Sequence, residues 1–232
     1  MNWKLLNPKN IIRRYFFWKK TLEKLNGVLV FYNVPEEKRL IFNKLKEMQK
    51  EVRILMSMHG LYELFTIVRH LHKIPGDMAE VGVFQGGSAR VIMEADPSKH
   101  IHLFDTFQGL PELTVYDQES AFHEGQYSVG LEEVKNNLKN HKNFTLYPGL
   151  FPKTANPVKD HKFSFVNLDV DLFQGTFDAL EFFYPRLSRG GGILVHDYAK
   201  PGGVKKAVDD FFKDKPEAIF ELTGIQGFIV KL

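Results

Sequence analysis

Apolar and polar positions along the chain fall into two regimes. Over residues 36–73 the apolar residues recur at helical spacing: Leu55, Met58, Leu61, Tyr62, Phe65, Val68 and Leu71 lie three or four apart, and "IPGD" at 74–77 ends the run. Beyond it, short continuous apolar stretches alternate with amphipathic ones. "MAEVGVF" reads as a strand with a helix after "GGSAR", and "HIHLFD" as a strand followed by a loop and a helix at "LEEVKNNLKN". "NFTLY" and "FSFVNLD" read as strands, with a helix at "TFDALEFFYPRL". Strand "GGILVHD", helix "GGVKKAVDDFF" and two short strands near 217–222 and 226–231 complete the series. This alternation predicts an α/β fold, a mostly parallel sheet with helices on both faces.

In such sheets ligands gather beyond the carboxyl ends of the strands. Those ends carry "AEVGVFQGGSAR", "LFDTFQGLPE", "NLDVDL" and "VHDY", so acidic groups from four strands converge on one edge. Burying carboxylates side by side costs several kcal/mol unless something compensates them. In the first motif Gly82, Gly86 and Gly87 allow a tight turn and close approach to a ligand, and Ser88 stands where a helix offers free N–H groups. The spacing is G-x-x-x-G-G, which is not the dinucleotide fingerprint, and such glycines also serve plain turn geometry. Asp105 closes the next strand, where a carboxylate either accepts both hydroxyls of a ribose or caps the following turn; beside the glycine turn, a nucleoside ligand is the preferred reading.

Composition narrows the chemistry. The 232 residues suit one sizeable core, and 44% hydrophobic with 25% charged residues is ordinary for a soluble globular protein. Without cysteine there are no disulfides or thiolate sites, so any metal must use Asp, Glu, His or backbone oxygen. A formal charge of +3 argues for no nucleic-acid partner, no apolar run is long enough to span a bilayer, and "MNWKLLNPKN" does not read as a secretory signal. A cytoplasmic location is the expectation.

Taken together, "AEVGVFQGGSAR", "HLFDTFQGLPE", "GLFPKT", "LDVDLFQGTFDALEFFYPRLSRGG" and "VHDY" followed by "GGVKKAVDDF" resemble the macrocin/mycinamicin sugar O-methyltransferase family, class I S-adenosylmethionine-dependent enzymes, over roughly residues 54–230. The resemblance implies a Rossmann-like, seven-stranded sheet with an antiparallel last strand. It implies S-adenosylmethionine as cofactor, a divalent cation (usually magnesium) and a small-molecule glycosidic acceptor. Carried onto this sequence, it puts Glu80, Gly82, Gly86 and Ser88 at the methionine end of the cofactor and Asp105 on its ribose. Asp169, His196 and Asp197 become the metal ligands, and Asp171 the general base. Two positions depart from the family pattern. His196 stands where an acidic residue is usual, which shifts metal preference from magnesium towards zinc, manganese or iron-like ions, or makes His196 itself the catalytic base of a metal-free site. Lys153 in "GLFPKT" also replaces an acidic residue.

Residues 1–53 are expected as a helical N-terminal extension and 54–232 as the cofactor-binding domain, with a substrate lid over 110–129 carrying Tyr116, Phe122, His123, Glu124 and Tyr127. In "NIIRRYFFWKKTLEKL" basic and aromatic residues interleave, which reads either as a docked helix contributing to a homo-oligomer or as peripheral contact with an anionic membrane. Two other functions stay open: a metal-dependent glycosyltransferase using the Asp-x-Asp of Asp169 and Asp171, and a non-catalytic cofactor-binding homologue.

Overall fold

The computed structural model describes residues 35–118 and 121–232, so the basic-aromatic N-terminal segment lies outside the described residues. The compact body that carries the site runs from Ile41 to Leu232. Its sheet has seven strands: β1 (Asp77–Val81), β2 (Ile101–Asp105), β3 (Phe144–Pro148), β4 (Phe163–Leu168), β5 (Leu187–Val195), β6 (Ile219–Glu221) and β7 (Gly227–Val230). Their spatial order is β3-β2-β1-β4-β5-β7-β6. All pairings among β1 to β5 are parallel, while β7 is antiparallel to both β5 and β6. The fold is thus the class I α/β arrangement that the sequence pattern and the resemblance led to.

Among the described residues, six α-helices accompany the sheet: α1 (Glu36–Glu51), α2 (Met58–His70), α3 (Gly87–Ala95), α4 (Leu131–Leu138), α5 (Phe173–Phe183) and α6 (Gly203–Phe212). Two separate apolar clusters show that they cover both faces. Leu45 of α1, Leu61 and Leu64 of α2, Ile92 of α3 and Leu138 of α4 pack with Met78 and Leu103. On the other face Leu180 and Phe183 of α5 and Val208 of α6 pack with Phe104, Phe163 and Val166. Strand β4 is buried along its whole length, as expected for a central strand covered on both sides.

The helical pattern over 36–73 is not one helix. It breaks between Glu51 and Met58, where Ser57 caps α2 by accepting a hydrogen bond from the Gly60 N–H at 3.1 Å. Leu55, expected on the buried stripe, falls in this break and is 53% exposed. Before the break, Ile41, Leu45 and Met48 join the core of the body, so the helix preceding residue 53 is part of that core.

Candidate active site

Strand register brings the chemistry together. Val81 of β1 pairs with Leu168 of β4, which pairs with Val195 of β5. The next residues continue the ladder: the Asp169 N–H donates to the Val81 carbonyl (2.9 Å) and the His196 N–H to the Leu168 carbonyl (2.8 Å). Gly82, Asp169 and His196 therefore sit side by side at the carboxyl edge, where connections leave the sheet in opposite directions on either side of the β1–β4 junction.

A cavity of about 280 Å³ opens there, with Gly82, Ser88 and Asp105 among its walls at one end and Asp169, Asp171, His196 and Asp197 at the other. The backbone at this edge is unusual. Phe84, Tyr127, Asp171 and Asp197 all line or adjoin the cavity with φ between 48° and 65°, a left-handed conformation that costs a non-glycine residue about 1 kcal/mol or more. Such strain persists only where surrounding contacts enforce it, and here it coincides with the pocket. Gly82 (φ 88°) has no alternative, since a Cβ would overlap the Asp169 carbonyl oxygen.

Each expected site residue has a definite place. Ser88, in the first turn of α3, faces the cavity. Gly86 (φ 84°) is the N-cap of α3 and abuts Leu138, a turn position away from the lining. Glu80 is fully buried behind the lining rather than in it, because the side chain joins the sheet interior and accepts a 2.7 Å hydrogen bond from Asn167 Nδ2. Desolvation pushes the Glu80 carboxyl up to about 8. Asp105 borders the cavity, yet its oxygens already accept three backbone N–H bonds: Val83 (2.7 Å) and Phe84 (2.8 Å) on Oδ2, Phe107 (2.7 Å) on Oδ1. It fixes the glycine turn and caps its own turn, and keeps lone pairs for one more partner.

At the other end, ligand atoms of Asp169, His196 and Asp197 lie within 4.8 Å of one another. His196 Nδ1 is 3.1 Å from Asp169 Oδ1 and 3.3 Å from Asp197 Oδ2, but this buried nitrogen makes no aligned hydrogen bond. Burial works against a charged imidazole, but the two carboxylates outweigh it and raise His196 to about 10. For Asp197 the same burial is outweighed by His196 and then Lys200, whose ammonium is 2.5 Å from Oδ1, and its carboxyl is held far below the usual range. Asp171 goes the other way: burial first, then the charges of Asp169 and Asp197, push it up to about 8. Carboxylates pushed apart in this way are the signature of an acid–base site.

A family model described as Macrocin-O-methyltransferase (TylF) matches residues 28–228. The chain belongs to the macrocin O-methyltransferase family. It is 35% identical over 141 residues to a tetracenomycin 4'-O-methyltransferase of Streptomyces olivaceus, which is 54% of this chain and 54% of that protein. It is 30% identical over 157 residues to the mycinamicin III 3''-O-methyltransferase of Micromonospora griseorubida, 60% of this chain and 61% of the relative. The chain thus spans a little over half the length of the curated relatives it matches. Among solved structures, the O-methyltransferase NovP superposes with a TM-score of 0.73 at 22% identity, covering 84% of this chain and 99% of that one. The calicheamicin methyltransferase CalS11 gives 0.67 at 18% identity, with 86% and 95% covered. An O-methyltransferase from Bacillus cereus in complex with SAH shares the fold at 0.56 and 11% identity, with 93% and 99% covered.

Several wall residues of this family member carried no signal in the sequence. Arg53 to Met56, in the break between α1 and α2, cross the start of α3 and line the cavity; a Cβ on Gly87 would press on Ile54. Lys200, three residues after Asp197, also lines the cavity and pairs with that carboxylate. Of the lid residues, Phe122 and Tyr127 line the cavity, and Tyr127 packs edge-on to Phe84 at 5.8 Å. Tyr116 instead closes on Phe173 (4.4 Å between rings), and His123 and Glu124 point to solvent. Lys153 is exposed, at the surface turn. Among the described residues no helix is long and apolar enough to cross a membrane.

Proposed function

We propose that the protein is an S-adenosylmethionine-dependent O-methyltransferase that modifies a hydroxyl of a sugar or glycosylated metabolite. The observation that carries this reading is the single cavity joining the glycine turn and Asp105 to the Asp169–Asp171–His196–Asp197 cluster. Gly82, Ser88 and Asp105 would hold the cofactor at the first end, leaving the second for the acceptor. Relatives named as sugar O-methyltransferases support it, and their names lend the glycosyltransferase alternative nothing.

The cofactor's sulfonium supplies an already activated methyl, so the protein has to align, exclude water and take a proton. Asp171, at the far end of the cavity, would take the proton of the acceptor hydroxyl as that oxygen receives the methyl. With its carboxyl raised to about 8, Asp171 takes a proton readily but must itself be ionised first, so its base form becomes available as pH rises towards 8. Phe84, Phe122 and Tyr127 form an apolar wall between cofactor and acceptor ends.

The residues present also fit a divalent cation. A buried imidazole nitrogen without an aligned hydrogen bond, flanked by two carboxylate oxygens, is an N,O,O donor set. Asp169, His196 and Asp197 would hold the ion, which would polarise and acidify the acceptor hydroxyl. The mixed donors suit manganese or zinc at least as well as magnesium.

The test is mass spectrometry of glycosides and nucleotide sugars incubated with protein and S-adenosylmethionine, with and without EDTA. A methylated sugar supports the reading. Tight cofactor binding with no product across the panel supports the non-catalytic homologue instead.

A further inference from the structure

The amino edge of the sheet, opposite the cavity, carries a second cluster. Asp77 opens β1, His102 is the second residue of β2, and His161 lies two residues before β4. These are three adjacent strands in the sheet. We propose that Asp77, His102 and His161 form a binding site for a divalent ion of the zinc class, separate from the methyl-transfer site and independent of the function proposed above.

The geometry is that of a prearranged three-ligand site. Asp77 Oδ2 lies 3.1 Å from His102 Nε2 and 2.9 Å from His161 Nδ1, and all three ligand atoms fall within 4.8 Å of one another. With bonds of about 2.0–2.1 Å to nitrogen and oxygen, ligand atoms on a tetrahedral zinc are about 3.4 Å apart. Side-chain movements of a few tenths of an ångström therefore open the cluster around an ion. Two imidazoles and one carboxylate with a fourth position left to water is a zinc donor set, and it needs no cysteine, of which the chain has none.

The surroundings favour the same reading. His102 is 5% exposed, and its Nδ1 is 2.9 Å from the Tyr147 hydroxyl, which fixes the ring with Nε2 towards Asp77. A hydroxyl both donates and accepts. It can donate to Nδ1 while Nε2–H faces Asp77, or accept from Nδ1–H while Nε2 turns its lone pair to a metal, so binding costs a tautomer change and no buried orphan. His161, at 41% side-chain exposure, leaves an entry path. The neighbouring cation does not fill the place: Lys99 Nζ bonds the carbonyls of Leu71 (3.3 Å) and Ile74 (2.5 Å). An ion here would clamp β1, β2 and the approach to β4, contacts far apart in sequence, and so add to stability rather than catalysis.

The experiment titrates zinc into the full chain bearing Asp169→Asn and His196→Ala, which removes the cavity cluster. One zinc per chain is expected, with a rise in melting temperature on loading. Adding His161→Ala should weaken binding at least about tenfold and abolish that rise, whereas the same change at the exposed His70 should do neither. Cobalt should give visible absorption of tetrahedral intensity that disappears with His161→Ala. Because His161 is exposed, that variant's metal-free melting temperature should stay near the parent's. If the parent variant is misfolded, the same comparison is made in the native chain, where two zinc ions should fall to one on His161→Ala. Zinc binding unchanged by His161→Ala, or absent without the cavity cluster, overturns the proposal.

Discussion

His196 Nδ1 faces Asp169 Oδ1 across 3.1 Å without an aligned hydrogen bond, with the imidazole 12% and the carboxylate 26% exposed. On the metal reading proposed above, this pair receives a cation. Asp169→Asn and His196→Ala should each weaken divalent-cation binding in the cavity by at least about tenfold, with activity partly restored at high metal concentration. Asp171→Asn should leave cation and cofactor binding nearly intact and lower turnover by about 10²–10⁴-fold. Calorimetry with manganese and steady-state rates separate the two patterns. Activity that survives chelation but collapses in His196→Ala alone would make His196 the base.

Asp105 supplies a second test. Asp105→Ala should lower affinity for adenosylhomocysteine by about 1.5–3 kcal/mol if the carboxylate also takes the ribose hydroxyls. It should also lower the melting temperature, because three backbone N–H groups lose their acceptor. Unchanged affinity with a lowered melting temperature would reduce Asp105 to a turn anchor.

Glu80 gives the pH prediction. Its folded-state pKa of about 8 lies above its ordinary 4.5, so the folded chain holds a proton that the unfolded chain releases in that window. Stability contributed by protonated Glu80 is complete below about pH 4.5 and is lost as pH rises towards 8, at up to about 1.4 kcal/mol per pH unit. Glu80 Oε2 and Asn167 Oδ1 are both buried without an aligned hydrogen bond, and the protonated carboxyl is the form of Glu80 that can donate one. Glu80→Gln should therefore flatten the decline in urea-denaturation stability between pH 5 and 8. An identical decline in both proteins would assign it to other groups.

Gly82→Ala is expected to be the most damaging single-methyl change at the site. It combines a φ of 88° with overlap on the Asp169 carbonyl, so both stability (by about 1–3 kcal/mol) and cation affinity should drop. Gly125→Ala, also at positive φ but in open space, is the control and should cost less.

The sheet was legible because a parallel sheet leaves long apolar runs, and β4 reads "FSFVNL" with every residue buried. The acidic strand ends were legible because buried charge is expensive and rarely accidental. What stayed hidden depends on distance in sequence. The helical stripe over 36–73 gave no sign of the break at Leu55, since three-and-four spacing continues across it. Nor could spacing show that Glu80 turns inward to Asn167, 87 residues away, while Ser88 turns to the cavity. Lid aromatics were recognisable as a class, but only packing separates Phe122 and Tyr127 from Tyr116.

Asp117, within the loop that follows β2, is 2% exposed. Its Oδ1 accepts from the Phe173 N–H at the start of α5 (2.9 Å), and its Oδ2 holds Thr114 through both N–H (3.0 Å) and Oγ1 (2.6 Å). Gly203, first residue of α6, is small enough to admit it. The near half of the loop is thereby tied to α5 and α6, the helices next to the Asp169–Asp171 strand end. The far arm supplies Phe122 and Tyr127 to the cavity wall without sharing that bracing. Selectivity could then be exchanged like a cartridge, by grafting that short arm between relatives while Asp117 and everything it braces stay in place.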